Sequence, residues 1–385
     1  MIIGIPGEIM PGEARVAAIP DTVKKYVADG AKVLIEKGAG VGSFYPDEDY
    51  VAAGAQVIKS AEELFEKADL ILKVKEPLFN TKFNKHEVEM MHQGQFLITF
   101  IHPASPVNHD MVRMLAEKGV VSLTLDSVPR ISRAQNMDAL TSMSTCAGYK
   151  GILLAANAMA KFIPPMFTAV GSIQPAKALV IGVGVGGLQA LATSKRLGAI
   201  TYAMDIRPAA MEHAMSLGAK VIDPAVPADL AIAKGGYAKD LPAEWIEKER
   251  QKLREVLKEM DIVFLSALVP GKIAPILITE EMVKEMKNGS VIVDISIDQG
   301  GNCAITPPGT TEVKHGVTVI GIKNIPGLLP TSSTWMFANN VYNLVNYLMK
   351  DDKIELDMND EIARSILVTT NNKIVHEGTL EAMNK

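Results

Sequence analysis

A run of glycines stands where an apolar segment gives way to a helical one, and this pattern is typical of phosphate binding. The run is Gly182-Val183-Gly184-Val185-Gly186-Gly187, after a strand predicted at 177–181. In such a turn Gly182 permits the tight bend, Gly184 lets backbone N–H groups approach a pyrophosphate, and Gly187 lets the helix pack on the strand. The helix N-terminus then stabilises the phosphate charge. The spacing therefore predicts a dinucleotide site.

An acidic residue after the next predicted strand bears on which dinucleotide is bound. Asp205 lies 18 residues beyond Gly187, at the end of a strand predicted at 200–204. A carboxylate there accepts hydrogen bonds from the adenosine ribose and repels a 2'-phosphate, which favours NAD over NADP. Arg207 is the opposing feature, because an arginine can hold a phosphate. A glycine turn that serves packing alone is the alternative to a cofactor site.

The elements around these residues alternate between strands and helices. Early strands are predicted at 32–36, 70–74, 95–101 and 120–124, with helices at 21–29 and 61–67. Later strands are predicted at 177–181, 200–204, 220–222, 261–266, 290–295 and 317–322. Several are continuous apolar runs, as in parallel sheets covered on both faces. We therefore predict an α/β protein with two doubly wound parallel-sheet domains.

The length and the last predicted helix suggest how the domains are arranged. A chain of 385 residues fits two domains. The Rossmann, dinucleotide-binding domain is predicted at 144–331, inserted into a discontinuous domain of 1–143 plus 332–385. A helix predicted at about 333–349 returns the chain to the first domain.

Composition excludes several classes of partner. The net charge is −5, with acidic and basic residues mixed along the chain, so no nucleic-acid partner and no direct membrane insertion are expected. The cysteines Cys146 and Cys303 form no paired motif, and the histidines lack ligand spacing, so no disulfide framework and no metal are expected. The start of the chain lacks the pattern of a signal peptide, and a cytoplasmic protein is expected.

Two polar segments carry further candidate residues. The segment 126–138 contains Arg130, Gln135 and Asp138 and, on its chemistry alone, is interpreted as an exposed linker. The segment 224–239 has no strong helix or strand period and ends in Gly235-Gly236-Tyr237-Ala238-Lys239. Loops of this length are often lids or binding loops, and a surface excursion is the alternative.

Together these motifs resemble the NAD(H)-binding alpha subunit of proton-translocating nicotinamide nucleotide transhydrogenase, in the family shared with alanine dehydrogenase. The resemblance is carried by 129–138, the glycine turn, 235–239 and 267–272, and it runs nearly end to end. It implies that NADP(H) is a co-substrate held on a partner subunit. A hydride would pass directly from NADH on this chain to NADP+ on that subunit. It also implies proton movement through membrane-spanning subunits, a homodimer, and a cytoplasmic location peripheral to the inner or plasma membrane.

The resemblance also implies roles for single residues. In that family the loop matching Arg130, Gln135 and Asp138 lies over the nicotinamide, and the loop ending in Tyr237 closes over the nucleotide. These four residues are the catalytic candidates. The implied cofactor contacts are Arg130, Ser132, Gln135, Thr141, Gly182, Val183, Gly184, Val185, Gly187, Asp205, Ile206, Arg207, Gly236 and Leu268. At one position the chain departs from some relatives, since Glu249 stands where they have a glutamine.

Alanine dehydrogenase is the competing interpretation. Four residues match its substrate and acid–base positions, namely Arg15, Lys75, His102 and Asp298. An arginine grips a carboxylate, a lysine holds a keto oxygen and a histidine moves a proton near neutral pH, as oxidative deamination of L-alanine to pyruvate requires. Several of the four also persist in transhydrogenase alpha subunits, and His102 is alternatively a packed or solvated histidine. A non-enzymatic NAD-binding module is the third class, and it would not need the two loops.

Overall fold

The computed structural model describes residues 1–232, 238–239, 241–269 and 273–384. The chain folds as two compact units, one of Met1–Met143 with Gly327–Lys385 and the other of Ser144–Pro326. The strands are β1 (Ile2–Ile5), β2 (Lys32–Glu36), β3 (Gln56–Ile58), β4 (Leu70–Leu72), β5 (Phe79–Asn80), β6 (Lys85–His86), β7 (Phe96–Thr99), β8 (Val121–Thr124), β9 (Met166–Thr168), β10 (Gly171–Ile173), β11 (Lys177–Ile181), β12 (Ile200–Met204), β13 (Lys220–Val221), β14 (Ile262–Leu265), β15 (Val291–Asp294), β16 (Thr311–Lys314), β17 (Val317–Ile320), β18 (Met349–Lys350), β19 (Lys353–Ile354), β20 (Leu367–Thr370) and β21 (Lys373–Ile374).

The helices alternate with these strands through most of the chain. They are α1 (Pro20–Ala28), α2 (Asp47–Ala52), α3 (Ala61–Lys67), α4 (Glu87–Met90), α5 (His109–Lys118), α6 (Ala139–Ala158), α7 (Val185–Arg196), α8 (Pro208–Ser216), α9 (Ala228–Ala231), α10 (Ala243–Leu257), α11 (Glu280–Lys284), α12 (Pro330–Leu348), α13 (Glu361–Ile366) and α14 (Glu377–Met383). The predicted α/β class is confirmed. Among the described residues, no helix is long and apolar enough to cross a membrane.

The first unit is built on an 8-stranded sheet in the order β21-β20-β8-β7-β4-β1-β2-β3. The strands from β8 to β3 are parallel, and β20 joins antiparallel beside β8. Every residue of β4 is buried, because helices cover both faces of the sheet there. The carboxyl ends of β1, β4, β7 and β8 therefore meet at one edge, where polar residues that follow them come together.

The second unit contains a 7-stranded sheet in the order β13-β12-β11-β14-β15-β17-β16. All neighbours are parallel except β16, which pairs antiparallel with β17. Ile181, the last residue of β11, pairs with Met204 on one side and Leu265 on the other. The chain leaves β11 for β12 on one side and later for β14 on the other. This reversal is the switch point at which open α/β sheets bind ligands.

The polar segment 126–138, interpreted from its chemistry as an exposed linker, has exposed polar side chains but also forms regular structure that packs within the first unit. It contains a 3-10 helix at Ser132–Met137, in which Ala134 and Met137 are buried. The side-chain amides of Asn340 and Asn343 in α12 donate to the carbonyl of Asn136 at 2.8 and 3.0 Å. Residues far along the chain thus supply partners that the segment's own sequence does not reveal.

Candidate functional site

Two glycines of the 182–187 turn are required by close approach of backbone. Gly182 has a φ of +84°, and a Cβ there would lie 2.6 Å from the backbone of Ser266 and Ala267. A Cβ on Gly187 would lie 2.1 Å from the carbonyl oxygen of Gly182. Any larger residue would push α7 or the end of β14 away from β11. The packing role predicted for Gly187 is thus a specific steric one.

Gly184 differs from its neighbours because it faces open space. A Cβ on Gly184 would meet no described atom within 4 Å, although this residue is the N-cap of α7. Among the described residues, no side chain caps this helix, and its first turn carries no acidic residue. Its N-terminal N–H groups and the positive end of its dipole therefore suit an anion. These residues fit the pyrophosphate of a dinucleotide.

The carboxylate of Asp205, just beyond β12, is fully engaged by this unit. Its Oδ2 accepts from the Val183 N–H at 2.7 Å and from Arg207 Nη2 at 2.7 Å. Its Oδ1 accepts from the Arg207 N–H at 2.8 Å and Nε at 2.9 Å. The bond to Asp205 raises the pKa of the Arg207 guanidinium. Asp205 and Arg207 thus form a compensated ion pair, and Ile206 lies between them.

Asn302 connects the two segments that follow β14 and β15. Its fully buried amide accepts from the Ala267 N–H at 2.9 Å and donates to the carbonyl of Ala267 at 2.8 Å. The Ser296 hydroxyl also donates to Asn302 Oδ1, at 2.7 Å. Ser266, in turn, donates to the Gly182 carbonyl at 2.6 Å. The backbone around Leu268 is thereby fixed to the glycine turn, a role for Asn302 that sequence reasoning missed.

In the first unit, His102 and Asp126 form an acid–base pair at the ends of β7 and β8. His102 Nδ1 lies 2.6 Å from Asp126 Oδ1, and the His102 N–H donates to Asp126 Oδ2 at 2.8 Å. Burial opposes a charge on His102, but the Asp126 carboxylate outweighs it and raises the pKa of the imidazole. His102 has a φ of +47°, so the backbone holds an uncommon conformation to place this ring. Asp126 was not predicted as a site residue.

Of the other alanine dehydrogenase-like residues, Lys75 and Arg15 lie in the first unit and Asp298 lies in the second. The positive charge of Lys75 opposes the rise in the pKa of His102, which places the two in the same region of the first unit. Arg15 is 3% exposed, and its Nε and Nη2 donate to the Glu13 carboxylate at 2.7 and 2.6 Å. Arg15 and Glu13 line a cavity of about 240 Å³. Asp298 is exposed in a 3-10 helix of the second unit.

The predicted loop residues are placed as follows. Arg130, Ser132 and Gln135 are exposed in the first unit. Both oxygens of Asp138 are occupied at the start of α6, where Thr141 donates from its N–H at 2.8 Å and from its hydroxyl at 2.6 Å. Gly236 and Tyr237 lie outside the described residues.

Family models match nearly the whole chain. The model described as "Alanine dehydrogenase/PNT, N-terminal domain" matches residues 4–147, and "Alanine dehydrogenase/PNT, C-terminal domain" matches 151–377. The chain belongs to the alanine dehydrogenase/PNT family. The four motifs that suggested this family from sequence were therefore a sound guide to it.

Within the alanine dehydrogenase/PNT family, the transhydrogenases are the more similar branch. The chain is 42% identical over 384 residues to NAD(P) transhydrogenase subunit alpha of Cereibacter sphaeroides, covering 99% of this chain and 71% of that protein. A solved structure of transhydrogenase from Sinorhizobium meliloti superposes with a TM-score of 0.85 at 35% identity, covering 97% of this chain and 100% of that one. Alanine dehydrogenase of Methanococcus maripaludis is 31% identical, with 99% and 96% covered. The predicted resemblance to a transhydrogenase alpha subunit is confirmed.

Proposed function

We propose that this chain is the NAD(H)-binding subunit of a proton-translocating NAD(P)+ transhydrogenase. In this proposal it passes a hydride directly from NADH to NADP+ held on a partner subunit. The observation that carries the proposal is the glycine turn, with its open Gly184 and with Asp205 at the end of the next strand. The higher identity to transhydrogenase than to alanine dehydrogenase supports the same choice.

The chain's own residues would bind, orient and shield the nucleotide. The N-terminus of α7 would hold the pyrophosphate, and the Asn302 network would keep the segment around Leu268 beside it. Bound NADH supplies the hydride. Arg130, Gln135, Asp138 and Tyr237 are proposed to bring the two nicotinamides into a reactive arrangement and to exclude water. Catalysis would then rest on proximity, without a covalent intermediate or a metal.

The proposal also includes an assembly. A homodimer of this chain would associate with NADP-binding and membrane-spanning subunits, and those subunits would move the proton. The chain would then lie on the cytoplasmic side, peripheral to the membrane. The Rossmann domain of 144–331, inserted between 1–143 and 332–385, would carry the nucleotide.

A reconstitution assay tests this function. The purified chain is mixed with a transhydrogenase NADP-binding subunit, and hydride transfer from NADH to an NADP+ analogue is followed by absorbance. Transfer that needs both proteins is the expected result. Each protein alone is the control, and absence of transfer from a mixture in which both nucleotides bind would contradict the proposal.

Alanine dehydrogenase is the second candidate function, and the His102–Asp126 pair favours it. A histidine held by a carboxylate, with the charge of Lys75 in the same region of the first unit, is suited to moving a proton near a carbonyl. The test is NADH formation from L-alanine and NAD+ by the chain alone, with His102→Gln as the matched control. Strong NADH formation that His102→Gln abolishes, without transfer between nucleotides, would make this the function.

A further inference from the structure

At the end of β12, the positive charge of Arg207 offsets the negative charge of Asp205. Four hydrogen bonds fill the acceptor sites of the Asp205 carboxylate, and three of them come from Arg207. The guanidinium is in direct ionic contact with that carboxylate at 2.7 Å. A carboxylate compensated in this way repels a nearby phosphate only weakly. Another group must supply the negative charge if this corner is to reject a 2'-phosphate.

Glu249 is a buried carboxyl group on which the Asp205 carboxylate acts electrostatically. It is 4% exposed and lies on the buried face of α10 with Leu253 and Leu257, at intervals of four residues. The two leucines belong to the same core cluster as Met204, the last residue of β12. Glu249 therefore lies one helical turn before Leu253, on the same buried face of α10. That face packs at the end of β12, which Asp205 follows.

The surroundings of Glu249 favour its neutral form. Burial raises the pKa of Glu249 to about 7, the Asp205 carboxylate adds to the rise, and Arg250 opposes it. Arg250 also donates to the carbonyl of Ile276, at 3.0 and 2.6 Å, and pairs with Glu247 at 3.2 Å.

Three further segments pack in the same core as this helix face. α11 does so through Met282 and Val283, while its charged residues Glu280, Glu281 and Lys284 are exposed. β14 and the segment 273–279 contain no ionisable residue. The charged groups that affect the pKa of Glu249 are Asp205, in the turn after β12, and Arg250, in its own helix. Arg207 is the ion-pair partner of that Asp205 carboxylate. With Glu249 protonated, the Asp205, Arg207 and Glu249 cluster is neutral. With Glu249 ionised, the cluster carries one negative charge.

We propose that Glu249 is a specificity-determining residue of the nucleotide site, whose carboxylate excludes a 2'-phosphate and whose protonation relaxes that exclusion. This inference rests on the proposed function, because it assumes that the adenosine ribose lies at the end of β12. Selection of NADH over NADPH then strengthens as pH rises through neutrality. Binding of NADH itself, which has no 2'-phosphate, changes little.

The test compares the dissociation constants of NADH and NADPH at pH 6 and pH 8.5, measured by nucleotide fluorescence. The wild-type chain, Glu249→Gln and the matched control Glu255→Gln are used, since Glu255 is exposed on the same helix. Between pH 6 and pH 8.5, the ratio of the NADPH dissociation constant to the NADH dissociation constant should rise in the wild type and the control. This rise is expected to be about tenfold larger than in Glu249→Gln. The 2'-phosphate, with a pKa of about 6, also gains charge over this range, but equally for all three proteins.

A second measurement determines the protonation of Glu249 directly and does not require any variant to bind a nucleotide. Carbon-13 NMR of labelled glutamate carboxyls in the wild-type chain should show one resonance that titrates near pH 7. That resonance should be missing from the spectrum of Glu249→Gln, which assigns it to Glu249. Identical pH profiles in the wild type and a folded Glu249→Gln would overturn the inference, and so would titration of Glu249 near the ordinary value of 4.5. Failure of the wild type to bind NADH at all would overturn the proposed function instead.

Discussion

Asp205 stabilises the second unit before any nucleotide binds. Its carboxylate joins the glycine turn, through Val183, to the turn after β12, through Arg207. A nucleotide ribose would therefore compete with Arg207 for this carboxylate. Arg207 is positioned to limit binding as well as to support it.

Replacing Asp205 with alanine is expected to weaken NADH binding and to relax the discrimination against NADPH, because Arg207 is released to hold a phosphate. Loss of the buried hydrogen bonds should also lower the free energy of unfolding by about 1–3 kcal/mol. Fluorescence titration gives both affinities, and urea unfolding gives the stability. An unchanged preference between the two nucleotides would refute the role of Asp205.

The His102–Asp126 pair predicts a window of pH in which it stabilises the first unit. The pKa of His102 is raised, so its contribution is complete below its unfolded value of 6.5 and is lost as pH rises through the folded value. The pKa of Asp126 is lowered despite burial, because of His102, so its contribution is lost only as pH falls below 3.8 towards the folded value. The pair is therefore strongest between these limits.

Asp126→Asn is expected to reduce the free energy of unfolding by about 0.5–1 kcal/mol more at pH 5.5 than at pH 9, a small value because solvent screens a half-exposed ring. His102 is 41% exposed in its side chain. Urea unfolding at both pH values measures the difference. The control is Asp110→Asn, which removes an exposed ion pair with Arg113. An equal loss at both pH values would show that the ion pair contributes nothing.

At the scale of elements, a buried ionic cluster joins the ends of two strands to a helix. The ammonium of Lys73, after β4, lies 3.3 Å from Glu8, after β1, and 3.0 Å from Glu87 in α4. All three side chains are buried, at 0 to 2% exposure. Burial opposes the charge on Lys73, but the two carboxylates hold its pKa above the usual range. The cluster fixes the backbone after β4, where the Lys75 N–H also donates to Glu8 at 3.4 Å.

Lys73→Met is expected to destabilise the chain by about 3–5 kcal/mol, because it leaves two carboxylates buried together without their cation. Lys67→Met removes an exposed pair with Glu63 and should change stability by less than about 0.5 kcal/mol. Chemical denaturation of both variants measures the contrast. Equal effects would mean that the cluster around Lys73 does not hold these elements together.

At the scale of the whole molecule, the sequence predicted strands well where they are apolar throughout. β11 and β12 have the predicted bounds, because strands buried on both faces appear as continuous apolar runs. The strand β20, which lies between β21 and β8, was not predicted, since it depends on a distant partner. Its Thr369 hydroxyl lies 2.6 Å from that of Ser122 in β8, 247 residues away.

The candidate site was predictable only partly, for a similar reason. Gly182, Gly187 and Asp205 are revealed by spacing, because local backbone geometry demands them. The pairing of Asp126 with His102 depends on strand register, and the burial of Glu249 depends on how α10 packs. Neither is encoded within a short segment of sequence.

NADH binding to Gly184→Val tests the central claim most directly. The φ of Gly184 is −78°, which any residue adopts, and no described atom lies within 4 Å of its Cβ position. A valine there should leave the fold intact but occupy the space of the pyrophosphate. The contrasting variant Gly187→Ala should lose stability as well, because its Cβ would meet Gly182 at 2.1 Å.

The measurement is the NADH dissociation constant of Gly184→Val beside its thermal unfolding curve. The predicted result is an unfolding temperature close to that of the wild type, with NADH binding weakened by about a hundredfold or more, equivalent to about 2.7 kcal/mol. Unchanged NADH affinity in the folded variant would contradict a nucleotide site at the glycine turn.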